Sequence, residues 1–240
     1  MRRLSVGLLL GCWAVLGCRT TAVPELAGDS AVVRGATPAD EADHLRLAAE
    51  HLDRADEAGA VPHLKAHLRR QPDAIMVRAY LGELLLKLGN VPESKLHFEQ
   101  FAREAPDGSG PARKHLVHVH TRLMELAGQT DDTFGEQLHR GIGLVLLVKQ
   151  WRASGAPADA ISEERTLVQA ARALKLASAE QPGDARVWLY SAEAWYELDQ
   201  PSSARTAIRT ARRCQPEWTL TAREQEQLQV RSRMEGLEGR

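Results

Sequence analysis

Residues 72–106 read PDAIMVRAYLGELLLKLGNVPESKLHFEQFAREAP, a stretch bounded by two prolines and divided by Gly89-Asn90. In its first part Val77, Leu81, Leu84, Leu85 and Leu88 recur at steps of three and four, which predicts an amphipathic helix over Ala74 to Leu88. Pro92 suits the first turn of a second helix, where a missing N–H loses no partner. The stretch is a helical hairpin. Residues 182–216, PGDARVWLYSAEAWYELDQPSSARTAIRTARRCQP, have the same layout and the same 34-residue spacing between prolines. Val187, Trp188, Ala192, Trp195, Tyr196 and Leu198 line the first helix, and Ala204, Ile208 and Ala211 line the one opened by Pro201. Two helices per unit at this period describe a solenoid, in which each unit buries its apolar face against its neighbours.

At these residues the chain resembles the tetratricopeptide repeat (TPR) family, whose signature runs Trp, Leu-Gly, Tyr, Ala, Phe, Ala, Pro. With Pro106 as the closing proline, Leu81-Gly82 fall on the Leu-Gly pair, Leu85 on the Tyr, Ser94 and Phe101 on the two Ala positions and Phe98 on the Phe. Pro216 likewise sets Trp188 on the Trp, Ala192 on the Gly, Trp195 on the Tyr, Ala204 and Ala211 on the two Ala positions and Ile208 on the Phe. An earlier unit closing at Pro72 gives the same roles to Leu47-Ala48, Ala60 and Leu64, with His67 on the second Ala. The resemblance covers 41–106 and 185–216.

Between them the pattern is irregular over 107–182. Pro106 and Pro182 are 76 residues apart, and three helices are predicted there: Pro111 to Ala127, Asp131 to Arg152 and Ser162 to Ala179. Two regular hairpins would need four. Either one hairpin is irregular around Gly155-Ala156-Pro157, or an unpaired helix re-aims the stack. Gly141 and Gly143 sit in the apolar run Leu138 to Val148 and suit close helix packing. The fold class is therefore all-α, a TPR-like helical-hairpin solenoid over 41–216, followed by a capping helix and tail over 217–240. Thr221-Ala222-Arg223-Glu224 has capping-box form, and Gln225, Glu226, Gln229, Arg231 and Arg233 supply the wettable outer face that a terminal repeat needs.

The first residues carry a second signal. Arg2 and Arg3 precede a mostly apolar run from Leu4 to Leu16, too short for the ~20 residues that cross a bilayer core, so 1–17 reads as an export signal. Its end, Val15-Leu16-Gly17-Cys18, resembles the bacterial lipobox, which implies diacylglyceryl modification and palmitate on Cys18. Leu9-Leu10-Gly11-Cys12 is a competing match that leaves a shorter apolar run. Residues 18–40 are rich in Thr, Ala, Gly and Pro without a helical stripe and read as a tether spanning about 25 Å, with Thr37-Pro38 capping the first helix. Arg19 stands where enteric lipoproteins retained at the inner membrane resemble one another in carrying Asp, which leaves the outer membrane open. The expected location is the cell envelope, lipid-anchored and facing the periplasm.

The charge is balanced, 31 basic against 32 acidic residues, with no polybasic patch that asks for nucleic acid. Cys12, Cys18 and Cys214 leave one thiol in the processed chain and no internal disulfide. Nine histidines include pairs at helical spacing, His63 with His67 and His115 with His118, while His97 and His139 could complete a metal site only if the fold brought them close. Without a Glu-x-x-His motif or a cysteine cluster, no metal, cofactor or catalytic residue is assigned. The resemblance implies that first helices line a concave groove for a peptide or partner helix. By position these residues are Met76, Ala79, Glu83 and Leu86 in one unit and Arg186, Leu189, Glu193 and Tyr196 in the other. The expected function is a non-enzymatic, membrane-tethered scaffold that binds other envelope proteins, of the kind that assembles pilus, secretion or outer-membrane complexes. The alternatives are a metal-dependent binder or enzyme using His115, His118 or His139, and an intracellular scaffold with an unprocessed start.

Overall fold

The computed structural model describes residues 38–105, 111–155, 159–214 and 220–236, and among these every regular element is a helix. They are α1 (Pro38–Asp53), α2 (Glu57–Arg70), α3 (Ile75–Lys87), α4 (Val91–Glu104), α5 (Pro111–Gln129), α6 (Thr133–Ser154), α7 (Ala160–Glu180), α8 (Ala185–Glu197), α9 (Pro201–Arg213) and α10 (Ala222–Met234). The fold is an all-α stack of helical hairpins. Cys18, the export segment, Thr37 and the closing prolines Pro106 and Pro216 lie outside the described residues, while Pro38–Asp40 of the expected tether already belong to α1.

Four inter-helix turns share one construction. Ala55, Gly89, Asp131 and Asp199 each adopt a left-handed backbone, with φ between 55° and 79°. The next N–H then reaches back five residues: Asp56 to the His51 carbonyl, Asn90 to Leu85, Asp132 to Ala127 and Gln200 to Trp195, at 2.8–2.9 Å. This bond satisfies a carbonyl that the ending helix leaves without a partner, and it reverses the chain tightly. Only one of the four positions holds glycine, so the composition hides a turn that recurs in the backbone. These turns join α1–α2, α3–α4, α5–α6 and α8–α9 into hairpins.

Each hairpin closes where a small residue lets two helices cross. A Cβ added to Gly82 on α3 would come within 2.7 Å of the Phe98 ring on α4, and Ser94 Oγ donates to the Gly82 carbonyl at 2.7 Å. Ala192, Ala204 and Ile208 meet in the same roles between α8 and α9, all 0 % exposed. In the first hairpin Ala48, Ala60 and Leu64 are buried together, and His67 is buried on the remaining small-residue position. Arg78 stands six residues after Pro72 and donates to its carbonyl, as Trp188 Nε1 does to Pro182 at 2.8 Å. Arginine thus fills the tryptophan position of the second unit, buried with Gln100 and Glu104 as further partners.

The irregular region resolves around α6, the longest helix at 22 residues. It packs against α5 on one side and α7 on the other. A Cβ on Gly141 would meet Leu174 Cγ of α7 at 2.5 Å and the Ala170 carbonyl at 3.3 Å, the same kind of crossing as Gly82 with Phe98. Gly143 is looser, its nearest neighbour being His120 Cβ at 3.4 Å. One helix therefore serves two neighbours, so three helices do the work of four. Gly155 at φ 61° ends α6, and α7 ends at Gln181-Pro182 as α2 ends at Gln71-Pro72. Leu116, Val119, Leu123, Leu138, Ile142, Leu146 and Leu174 then form the central core with Phe98 and Phe101.

Gly141→Ala should lower stability by about 1–3 kcal/mol, because Leu174 is walled in and the added methyl overpacks the crossing. Gly183→Ala, at a site with nothing within 4 Å, is the control in chemical denaturation and should change little.

Candidate functional site

The face assigned to ligand binding divides into two parts, one on α3 and one on α8. On α3, Met76 is 36 % exposed and Tyr80, one turn on, 46 %, while Ala79 is buried and Leu86 packs against the central core. Glu83 lies between them and is half-buried. Its carboxylate receives His118 Nε2 at 2.7 Å and Arg122 Nε and Nη2 at 3.0 and 3.2 Å, both from α5. Burial pushes the carboxyl of Glu83 up, but hydrogen bonds from His118 and Arg122 outweigh it and hold the group below its ordinary value. This part of the face is open at Met76 and Tyr80 and cross-linked by charge at Glu83.

On α8, Leu189 and Glu193 have no exposed surface, so neither can touch a ligand in this conformation. The Glu193 carboxylate takes Lys149 Nζ of α6 at 2.6 Å and a two-pronged contact from Arg231 of α10 at 2.8 and 3.0 Å. Two cations overcome the burial penalty and keep it ionised, below the usual carboxylate range. The Arg231 guanidinium also lies 4.5 Å from the Tyr196 ring centroid. Tyr196 donates its hydroxyl to Glu235 at 2.6 Å, and Arg205 of α9 donates to the same carboxylate at 2.5 Å. Burial and that carboxylate push the Tyr196 phenol well above its ordinary value. Arg186 is held by its neighbour Asp184, with contacts of 2.6 and 3.1 Å.

The part played by α10 corrects the wettable-face expectation. Gln225, Glu226, Gln229 and Arg233 face water, but Arg231 does not: it points inward with Glu224, Leu228, Ser232 and Glu235. That line of residues at three- and four-residue steps is legible in the sequence, yet it is mostly polar, and a search for an apolar stripe passes over it. The capping box does form, with Thr221 N–H to Glu224 Oε2 at 2.8 Å and Glu224 N–H to Thr221 Oγ1 at 3.1 Å. Lys149 gives no signal in the sequence, because its role depends on how α6 meets α8.

The histidines do not gather into one centre. His63 stacks on His51 at 5.3 Å, His118 serves Glu83, and His115 lies half-buried on α5. His139 pairs with His120, a residue not singled out by spacing, with their Nδ1 atoms 3.0 Å apart. Among the described residues no three His, Cys, Asp or Glu side chains are placed to hold a metal. Burial, helped by the charges of Arg186 and Lys95, lowers His139 to about 3, and burial beside His139 lowers His120 well below its ordinary value. Both rings are neutral in the fold, where one Nδ1 donates to the other.

A neutral buried histidine contributes stability that is complete above its unfolded pKa of about 6.5 and is lost as pH falls toward its folded value. Denaturant titrations should therefore show stability dropping by ~1.4 kcal/mol per pH unit for each such ring between about pH 6 and 4. His139→Gln should reduce that slope by about one proton; an unchanged slope would place the titration elsewhere.

Proteins of known structure similar to this chain include TPR proteins. A crystal structure of MamA protein is 11 % identical with a TM-score of 0.36, the match covering 83 % of this chain and 96 % of that one. A thermophilic TPR protein of Thermus thermophilus is 18 % identical with a TM-score of 0.38, over 82 % of this chain and 83 % of its own. The TPR2AB domain of yeast Sti1, solved as a complex with pHSP90, is 12 % identical with a TM-score of 0.36, over 82 % and 85 %. No protein-family model matches the chain, and no curated protein does.

Proposed function

We propose that this chain is a non-enzymatic scaffold for protein–protein interaction, anchored in a bacterial cell envelope through acylated Cys18. The supporting observation for the scaffold is the open part of the α3 face. Met76 and Tyr80 stand four residues apart on one side of a helix that is otherwise well buried, and both remain accessible. Around them Glu83, His118 and Arg122 supply a fixed polar rim. An apolar centre with a polar border is the makeup of a surface that docks another protein. Two depressions on the described surface have charged residues in their linings: Asp73 and Glu104 beside Pro72 and Ile75 in one of about 420 Å³, and Lys65, Arg69, Arg78 and Glu93 beside Leu68 and His97 in one of about 270 Å³.

Support for the anchor comes from the sequence alone: the basic start, the short apolar run and Leu16-Gly17-Cys18. No described helix is long and apolar enough to cross a membrane. Two or three acyl chains, at ~0.8 kcal/mol per buried CH₂, hold a body of this size firmly. An anchored hairpin stack suits the assembly of a multi-protein envelope complex such as a pilus, secretion or outer-membrane apparatus.

A photo-crosslinking side chain placed at Met76 or Tyr80 of the full chain in its own cells should give discrete adducts absent when it is placed at Leu96, an exposed residue of α4. The same adducts from all three positions would contradict an α3 docking face. Cys18→Ala should move the protein from the detergent-extracted fraction to the soluble one, and unchanged partitioning would remove the anchor.

A further inference from the structure

α10 is held to the rest of the chain almost wholly by polar side chains. Glu224 accepts from the Tyr190 hydroxyl at 3.0 Å, Arg231 grips Glu193 and covers Tyr196, and Glu235 bridges Tyr196 and Arg205. At its start Arg223 donates to the Ala105 carbonyl at the end of α4. Leu228 is the residue of α10 that joins the neighbouring apolar cluster, while Val230 and Met234 face outward at 44 % and 69 % exposure. The inter-hairpin contacts elsewhere are the reverse, carried by leucine, phenylalanine and alanine.

The surface beneath α10 is also unusual. Glu193 is a fully buried carboxylate on a helix face, flanked by two tyrosines, and Lys149 alone stays beside it if Arg231 leaves. Without α10, Glu193 keeps Lys149 and loses its second cation, and the half-exposed Arg205 loses the carboxylate it holds, so a guanidinium and a carboxylate from another helix fit the two vacated places. In the chain the two places are filled by residues four apart, Arg231 in the last turn of α10 and Glu235, the residue that caps that helix. Any helix with that pair can fill them.

We propose that α10 is a detachable latch, and that the slot formed by Tyr190, Glu193, Tyr196 and Arg205 docks a helix of another protein carrying an arginine four residues before a carboxylate. The charge pattern identifies this occupant. Docking exchanges one set of ion pairs for an equivalent one, so the incoming helix competes with α10 for the same groups. The proposal rests on the scaffold reading, but it concerns α8 and is measured without the α3 face, so the two can fail separately.

Hydrogen exchange on the full chain tests the latch. The α10 amides should exchange at least about tenfold faster than those of α8 and α9, and the gap should widen with added salt, which screens the ion pairs at the edge of the contact. Arg231→Glu sets two carboxylates together and should abolish protection over 222–234 while α8 keeps its own. A fluorescent peptide of residues 220–236, which carries the Arg231 and Glu235 pair, should then bind full-length R231E at least about tenfold more tightly than wild type, where the tethered copy competes. Should R231E also expose α8, Arg205→Ala at the accessible end decides, and is expected to speed exchange in α10 alone. Joint exchange of α8 and α10 in the wild type, or equal peptide affinity for both proteins, would make α10 a permanent cap and overturn the proposal. A wild-type dimer by light scattering with α10 fully protected would assign the slot to a second copy and overturn it equally.

Discussion

Close approach of paired helices at a residue without a bulky side chain is the constraint on which the structure depends. At Gly82 the Phe98 ring of α4 occupies the space that a Cβ would need, and Ser94 takes the carbonyl of the same glycine. Gly141 does this for Leu174, and Ala192 for the α8–α9 pair. Each crossing sets two helices near enough for Phe98, Leu174 or Ile208 to reach full burial, which is worth about 1.5–3 kcal/mol for a large apolar side chain. The left-handed turns at Ala55, Gly89, Asp131 and Asp199 allow the partners to meet after only a few residues. Most crossings join helices next to one another in the chain, and one apolar cluster running from α3 to α8 links the hairpins between them.

That arrangement explains where function can reside. A repeat stack uses its buried faces for neighbours and leaves the sides of its helices for others, and here those sides differ in chemistry. The α3 side keeps apolar groups in the open, whereas the α8 side is filled by Lys149 and Arg231 around Glu193. Removing one partner of a buried ion cluster leaves an uncompensated charge, at a cost of about 3–5 kcal/mol. The α8 side is thus tightly occupied so long as a cation is present, whichever chain provides it.

Most of the fold is legible in the sequence because its determinants are local. Proline spacing, the leucine steps of α3 and the small residues at Gly82, Ala192 and Ala204 each mark a helix or a crossing within one unit. Three helices between Pro106 and Pro182 are also readable from periodicity, with ends that differ by a few residues. What periodicity leaves open is pairing, since nothing in the α6 sequence says that Gly141 meets Leu174 while the same helix also packs on α5. The candidate site is less legible for the same reason. Glu83 and Glu193 are placed by position, but their partners His118, Arg122, Lys149 and Arg231 lie 35 to 44 residues away and carry no local mark. Arg231 is misread because an inward face of charged residues looks, in sequence, like a solvated one.

A double-mutant cycle at Gly82 and Phe98 tests the close-crossing account most directly. Gly82→Ala should destabilise the wild-type chain yet cost far less, or nothing, in a Phe98→Ala background, where the added methyl finds the room the ring vacated. Strictly additive effects would mean that α3 and α4 do not meet at this glycine, and the hairpin packing described for the whole stack would be wrong.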